Sequence, residues 1–228
     1  MNTSLLTPST HYQADHGKAY VASRQSDSDS LGYALNFEFF RPHLRSTDTV
    51  LDFGCGNGGL LKHLAKHVAQ AEGLEINPEA VRLARASGHV VYASVAEIPA
   101  TTRYNVIVTN HVLEHVRDVP ATLEHLRDHL QPGGLLVAKL PIDDWHESLQ
   151  RTWSRTDIDH HLQTWTPRLF ANTLFEAGFD VREVRVICSA WHPRLFPLVK
   201  FGLGSLAFRL FAMLKHRRQL FAVGVRPS

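Results

Sequence analysis

The sequence predicts an α/β domain built on a seven-stranded, mostly parallel sheet with helices on both faces. Three observations carry that prediction. Apolar, β-branched segments alternate with stretches of helical periodicity from Thr49 to Arg226, the pattern of strands joined by crossover helices. Residues 50–60 read Val-Leu-Asp-Phe-Gly-Cys-Gly-Asn-Gly-Gly-Leu, a short strand running into a glycine turn. Residues 73–78 read Gly-Leu-Glu-Ile-Asn-Pro and put Glu75 21 positions after Gly54, about the interval at which the next parallel strand ends on an acidic residue.

Taken in order, the first strand spans Thr49 to Phe53 and a helix follows from about Gly58 to Gln70. A strand then runs into Glu75, and Asn77-Pro78-Glu79 opens a helix with Asn as its cap and Pro in the first turn. Strands at His89 to Ala93 and Asn105 to Thr109, a helix over Ala121 to Leu130 and a strand at Leu135 to Leu140 continue the alternation. Pro167 to Ala177 reads as a helix stopped by Gly178, Asp180 to Ile187 as a sixth strand and Gln219 to Arg226 as a seventh.

Two stretches fall outside this pattern. Residues 1–30 are rich in Ser, Thr, Asp and Gln and read as a flexible arm or lid with Tyr12 and Tyr20 as docking points, ahead of a domain over 31–228. Residues 141–166 form a long connection with three of the four tryptophans, on the ligand-binding side of such a sheet, and are the expected substrate wall. Residues 194–218 form an apolar and basic helical insertion. Pro197, Lys200, Gly202, Gly204 and Arg209 interrupt it, which argues against a membrane span of about 20 apolar residues. A helix packed on the sheet and an interfacial helix with Leu206, Leu210, Met213 and Leu214 on one side both remain open.

At 228 residues and 44% apolar content, the chain can bury one sizeable core. Residues 1–15 show no basic head followed by an apolar run, so no secretory signal is expected. The two cysteines, Cys55 and Cys188, give no disulfide framework and fit a reducing cytoplasm. Cys55 reads as a small residue filling the glycine loop rather than as a nucleophile.

The glycine loop itself discriminates between ligands. Gly54, Gly56 and Gly58 let the backbone turn sharply and approach a ligand, but the spacing is not the Gly-x-Gly-x-x-Gly of a dinucleotide site. It resembles the first motif of class I S-adenosylmethionine-dependent methyltransferases, which share a Rossmann-like sheet. The likeness continues at Tyr104 to Asn110, similar to their fourth strand, and at Leu130 to Val137, similar to their turn and fifth strand. Leu113-Glu114-His115 resembles the branch of that family acting on small molecules. The resemblance implies S-adenosylmethionine as cofactor, held by Asp52, Gly54, Cys55, Gly56 and Gly58, by Glu75 and Ile76 at the ribose, and by Ser94, Val95 and Asn110 further along the pocket. Ser94 stands where an aspartate commonly holds the adenine amino group, and a serine can still donate or accept there.

The segment His111-Val112-Leu113-Glu114-His115 admits several readings. The bare pattern also occurs in inverted zinc proteases, but those need it within a metal-binding helix. His115, with His111 beside it, can serve as a base taking a proton from a substrate hydroxyl. Some RNA terminal 2′-O and ubiquinone-pathway methyltransferases place a divalent cation on a similar Glu-x-x-Glu-His. By that resemblance His111, Glu114, His115 and His161 form a metal set that favours zinc or another transition metal over magnesium.

Net charge is +2, distributed unevenly. No Asp or Glu occurs from Val184 to Ser228, whereas eight Lys and Arg do, leaving 16 basic and 22 acidic side chains in the other 183 residues. Within the methyltransferase resemblance, the histidines bias the expectation toward O-methylation of a small metabolite or glycoconjugate, with no role for DNA. An anionic or membrane-surface partner could engage the basic C-terminal third. An RNA or lipid-linked acceptor, or a non-catalytic cofactor-binding partner subunit, are the alternatives.

Overall fold

The computed structural model describes residues 14–23, 27–142, 152, 154, 160–190, 195, 198, 204–215 and 217–228. Two helices, α1 (Ala14–Ser23) and α2 (Asp27–Phe40), precede the sheet. Strands β1 (Thr49–Phe53), β2 (Gln70–Leu74), β3 (Val90–Tyr92), β4 (Tyr104–Asn110), β5 (Leu130–Pro141), β6 (Asp180–Cys188) and β7 (Arg218–Val225) form one sheet in the order β3-β2-β1-β4-β5-β7-β6. Neighbours from β3 to β5 run parallel, and β7 is antiparallel to both β5 and β6. The expected seven-stranded, mostly parallel sheet is present.

Alternation along the strands builds two cores. Leu51, Ile107, Leu136, Ala138, Leu140 and Leu220 face one side, where α5 (Val119–Asp128) and α6 (Pro167–Glu176) bury Leu123, Leu126, Phe170 and Leu174. Val50, Val106, Val108, Val137, Phe221 and Val223 face the other, against Phe37 and Phe40 of α2, Leu61 and Leu64 of α3 (Leu61–Leu64) and Val81 and Ala84 of α4 (Pro78–Ala86). A strand buried on both faces carries apolar side chains at successive positions, which is why β5 and β7 read as continuous apolar runs.

Local signals set the helix boundaries. The Asn77 side chain accepts from the amides of Glu79 and Ala80 at 3.0 and 3.2 Å, with Pro78 in the first turn. Thr166 caps α6 through the Leu169 amide, and Gly178, with φ of +81°, ends that element.

One expectation is corrected and two stretches gain structural detail. The helix expected over 58–70 is the single turn α3, because the hydrogen bonds of Lys66 and His67 tighten to i−3 partners and Gln70 already enters β2. The stretch read as an arm over 1–30 contains α1 and the start of α2, and Tyr20 lies within α1, while Tyr12 is outside the described residues. Trp165, placed in the substrate wall by its position, is buried edge-on to Phe170 at 5.1 Å; the other two tryptophans of the 141–166 connection lie outside the described residues. Helix α7 (Gly204–Leu214) lies between β6 and β7 in sequence and packs beside β6.

Candidate active site at the carboxyl ends of the strands

The carboxyl ends of β1 and β2 meet in one hydrogen-bonded unit. The amides of Gly54 and Cys55 both donate to the Leu74 carbonyl, at 2.8 and 3.1 Å. Glu75 then accepts three more backbone amides: Gly56 on Oε2 at 2.9 Å, and Ile76 and Asn77 on Oε1 at 2.8 Å each. Burial raises the Glu75 pKa and these amides oppose the rise.

Each glycine of the loop adopts a positive φ, +79° at Gly54, +55° at Gly56 and +86° at Gly58. They differ in surroundings. A Cβ on Gly54 would lie 2.3 Å from a Val112 methyl, so that glycine permits close packing of the loop on the segment after β4. A Cβ on Gly56 meets nothing within 4 Å and projects into open space. Cys55 is buried, its thiol pushed up by burial and by Asp52 and Glu75, so it is a neutral packing residue.

Asp52 is buried at the base of the loop, and its Oδ2 makes no hydrogen bond among the described residues. Burial, with the Glu75 carboxylate as a second cause, raises its pKa to about 8. A buried carboxyl oxygen without a partner is costly unless a ligand supplies the donor. Open space at Gly56, the orphaned Asp52 oxygen and the Glu75 carboxyl suit a ligand with a cationic amine and a diol, the chemistry of S-adenosylmethionine. Ile76 is exposed after β2, and Ser94 and Val95 open a 3-10 turn after β3 on the same side of the sheet.

The second half of the site follows β4. Asn110 ends the strand with a buried Oδ1 that has no partner among the described residues, and His111 takes φ of +57° while its amide donates to the Lys139 carbonyl at 2.8 Å. A left-handed histidine is a strained position, and such strain concentrates at functional sites. Glu114 is fully buried in the 3-10 turn Leu113–His115. His111 Nδ1 lies 3.6 Å, and His115 Nε2 3.7 Å, from Glu114 Oε1.

His161 arrives from 46 positions downstream because its segment is tied to this turn. The Leu162 amide donates to the Glu114 carbonyl at 2.8 Å, and Gln163 Nε2 to the Val116 carbonyl at 3.0 Å. The His115 and His161 rings sit 5.1 Å apart, and donor atoms of Glu114, His115 and His161 all fall within 4.8 Å of one another. Of the four residues expected to converge, these three do. His111 touches Glu114 but stands outside that mutual set, because its ring is held from the far side by Gln219.

The hydrogen bonds also assign the His111 ring. Gln219 Nε2 donates to the Ser189 carbonyl at 3.2 Å, which turns its Oε1 toward His111 Nε2 at 3.3 Å. His111 therefore carries its proton on Nε2 and turns a lone pair on Nδ1 toward Glu114. His115 Nδ1 lies 3.5 Å from the His160 carbonyl, with Nε2 facing Glu114. Burial, reinforced by Lys139, lowers the His111 pKa, so this imidazole stays neutral and is a weak base.

Lys139, near the carboxyl end of β5, was not expected. It is buried, donates to Asn36 Oδ1 of α2 and lies 5.3 Å from the Phe39 ring centroid, and burial lowers its pKa to about 7. A lysine amid Leu-Leu-Val-Ala and Leu-Pro, in a strand buried on both faces, is the sequence signal that could have found it. From α2, Tyr33 also reaches the glycine loop, donating to Asn57 Oδ1 at 3.3 Å and covering Gly59 with its ring.

Comparison with known proteins identifies the family and the fold. A family model described as "Methyltransferase domain" matches residues 28–184. The ubiquinone biosynthesis O-methyltransferase of Methylobacterium nodulans is 34% identical over 100 residues, 40% of this chain and 39% of that protein. The trans-aconitate 2-methyltransferase of Deinococcus radiodurans is 30% identical over 105 residues, 43% of this chain and 40% of that protein. The chain thus spans about two-fifths of the length of these relatives. Among solved structures, a chain from the complex between the Haloferax volcanii Trm112 methyltransferase activator and a methyltransferase superposes with a TM-score of 0.68 at 20% identity, covering 94% of this chain and 97% of that one.

Proposed function

The chain belongs to the methyltransferase-domain family, and from that premise we propose that it transfers a methyl group from S-adenosylmethionine to a hydroxyl of a small metabolite or glycoconjugate. The observation that carries the reading is the convergence of Glu114, His115 and His161 beyond β4, next to a glycine loop and acid pair suited to the cofactor. A hydroxyl is a poor nucleophile until its proton leaves, whereas the sulfonium donor already contains a good leaving group. The protein's task is then to orient the acceptor and take its proton.

In this reading Asp52 faces the amino group of the cofactor, Glu75 its ribose, and Ile76, Ser94 and Val95 the adenine side. His115 Nε2 takes the acceptor proton directly; in the metal variant Glu114, His115 and His161 would hold a divalent cation that would lower the pKa of the acceptor hydroxyl, and the proton would pass to solvent because a ligating Nε2 has no free lone pair. A set of two histidines and one carboxylate favours zinc or a similar metal over magnesium. Incubating the purified chain with isotopically methyl-labelled S-adenosylmethionine and a panel of phenols, polyols, carboxylic acids and amines tests the proposal. Label on hydroxyl acceptors is expected. Transfer only to nitrogen or carboxylate, or cofactor binding without turnover across the panel, would overturn it.

A further inference from the structure

We propose that helix α7 docks the protein onto an anionic phospholipid surface. The helix is apolar on two opposed sides. Phe208 and Ala212, one turn apart, are buried where it packs beside β6. At 3.6 residues per turn, Leu206, Leu210, Met213 and Leu214 project nearly opposite, and they are 57%, 50%, 52% and 79% exposed. Packing on the sheet needs only the first side. Four large apolar side chains on the second form a stripe turned to solvent over about two turns.

Charge selects the occupant. Arg209 is exposed beside the stripe, and Lys215, Arg217 and Arg218 are exposed where the helix gives way to β7. No carboxylate side chain occurs from residue 184 to the C-terminus, although the rest of the chain is net acidic. An apolar stripe bracketed by cations is the pattern of a helix lying in the headgroup plane, with its side chains in the acyl boundary and its cations on lipid phosphates. A second copy fits poorly. Two-fold pairing would set Arg209 and the basic helix end against like charge, and four side chains fall far short of the 20–30 residues a side of an ordinary interface. α7 has 11 residues, and no helix among the described residues is long and apolar enough to cross a membrane.

The basic end of α7 also leads to the histidine site. β7 begins there, Gln219 pairs with Pro141 at the carboxyl end of β5, and its side chain reaches His111 at 3.3 Å. A protein docked through α7 would therefore hold that end of the sheet near the lipid–water boundary. Resting on the methyltransferase reading, the acceptor class becomes an amphipathic hydroxyl compound resident in the interface.

The test uses the full chain and sedimentation with vesicles of phosphatidylcholine alone or with one-third phosphatidylserine, so binding is read without turnover. Binding to the anionic vesicles alone, abolished by high salt, is expected. R209Q/K215Q should weaken it about 25-fold, taking about fivefold per cation. L206Q/L210Q/L214Q should weaken it about tenfold or more with the circular dichroism melt retained. Absence of binding at low salt overturns the proposal. So does binding indifferent to the leucine substitutions, or a concentration-dependent dimer in light scattering that those substitutions dissolve.

Discussion

Glu75 Oε2 accepts the backbone amide of Gly56 at 2.9 Å, so the carboxyl that ends one strand closes the glycine loop that ends its neighbour. The residue expected to hold the ribose already organises the loop that holds the rest of the cofactor. Binding and preorganisation are therefore coupled at one side chain.

Substituting Glu75 should accordingly have two effects. Glu75→Gln removes the charge, keeps an acceptor on only one side of the carboxyl and sets its NH2 against the amide or amides on the other, so it should weaken S-adenosylhomocysteine binding by about 1.5–3 kcal/mol, roughly 10-fold to 100-fold, with a smaller stability loss than Glu75→Ala. Glu75→Ala also strands the amides of Gly56, Ile76 and Asn77 and should add a stability loss of about 1–3 kcal/mol. Calorimetry and thermal denaturation read the two separately. Unchanged affinity in the Gln variant would place the ribose elsewhere.

The loop glycines should divide along the same line. Gly54→Ala drives a methyl to 2.3 Å from Val112, in a left-handed conformation, and should cost about 2–4 kcal/mol of stability before any ligand is present. Gly56→Ala places a Cβ with no heavy atom within 4 Å, so it should cost only about 1–2 kcal/mol for its backbone conformation while sharply lowering cofactor affinity. A Gly56 variant that binds normally would show that the open space beside it is not the cofactor's.

How much of this was legible follows from distance along the chain. The loop, Glu75 and the Asn77 cap are local, and their residue types state their geometry. Helix α2 was missed because Asp27-Ser-Asp-Ser starts it with turn-like composition, and what secures it is tertiary: Phe37 and Phe40 in the core and Tyr33 on the loop. The meeting of His161 with Glu114 has no signal in spacing and entered by resemblance. Two backbone-directed hydrogen bonds bring it about. Lys139 hid inside an apolar run.

Lys139 makes stability depend on pH. Its pKa falls from 10.5 to about 7 on burial, so below pH 7 the ammonium is present in both states and the folded state bears the full cost of burying it. Between about pH 7 and 10 the folded protein releases that proton while the unfolded chain keeps it, so stability from this group rises with pH. Lys139→Met should be more stable than the native chain by up to a few kcal/mol at about pH 6, an advantage that shrinks by about pH 9. Urea denaturation at both values measures the difference between the curves. A constant difference would mean that the lysine keeps its proton in the fold, held by Asn36 and the Phe39 ring.

The histidine cluster yields the sharpest test, because its two chemistries respond oppositely to chelation. If a cation joins acceptor and protein, removing it with a chelator should abolish transfer and leave S-adenosylhomocysteine affinity intact, since the glycine loop and Glu75 belong to other strand ends. Added zinc, manganese or cobalt should restore activity, and Glu114→Gln or His161→Ala should lower metal affinity about 10-fold to 100-fold or more. If His115 acts alone, a chelator changes nothing. His115→Ala then costs about 10²–10⁴ in rate, and native activity falls as pH drops through the imidazole range, because the Nε2 lone pair facing Glu114 at 3.7 Å is lost to a proton. His111→Ala discriminates further. Its neutral, weakly basic ring, fixed by Gln219, can orient Glu114 but not accept the substrate proton, so its loss should lower the rate without moving the pH profile. A profile that shifts on His111→Ala would transfer the base from His115 to His111.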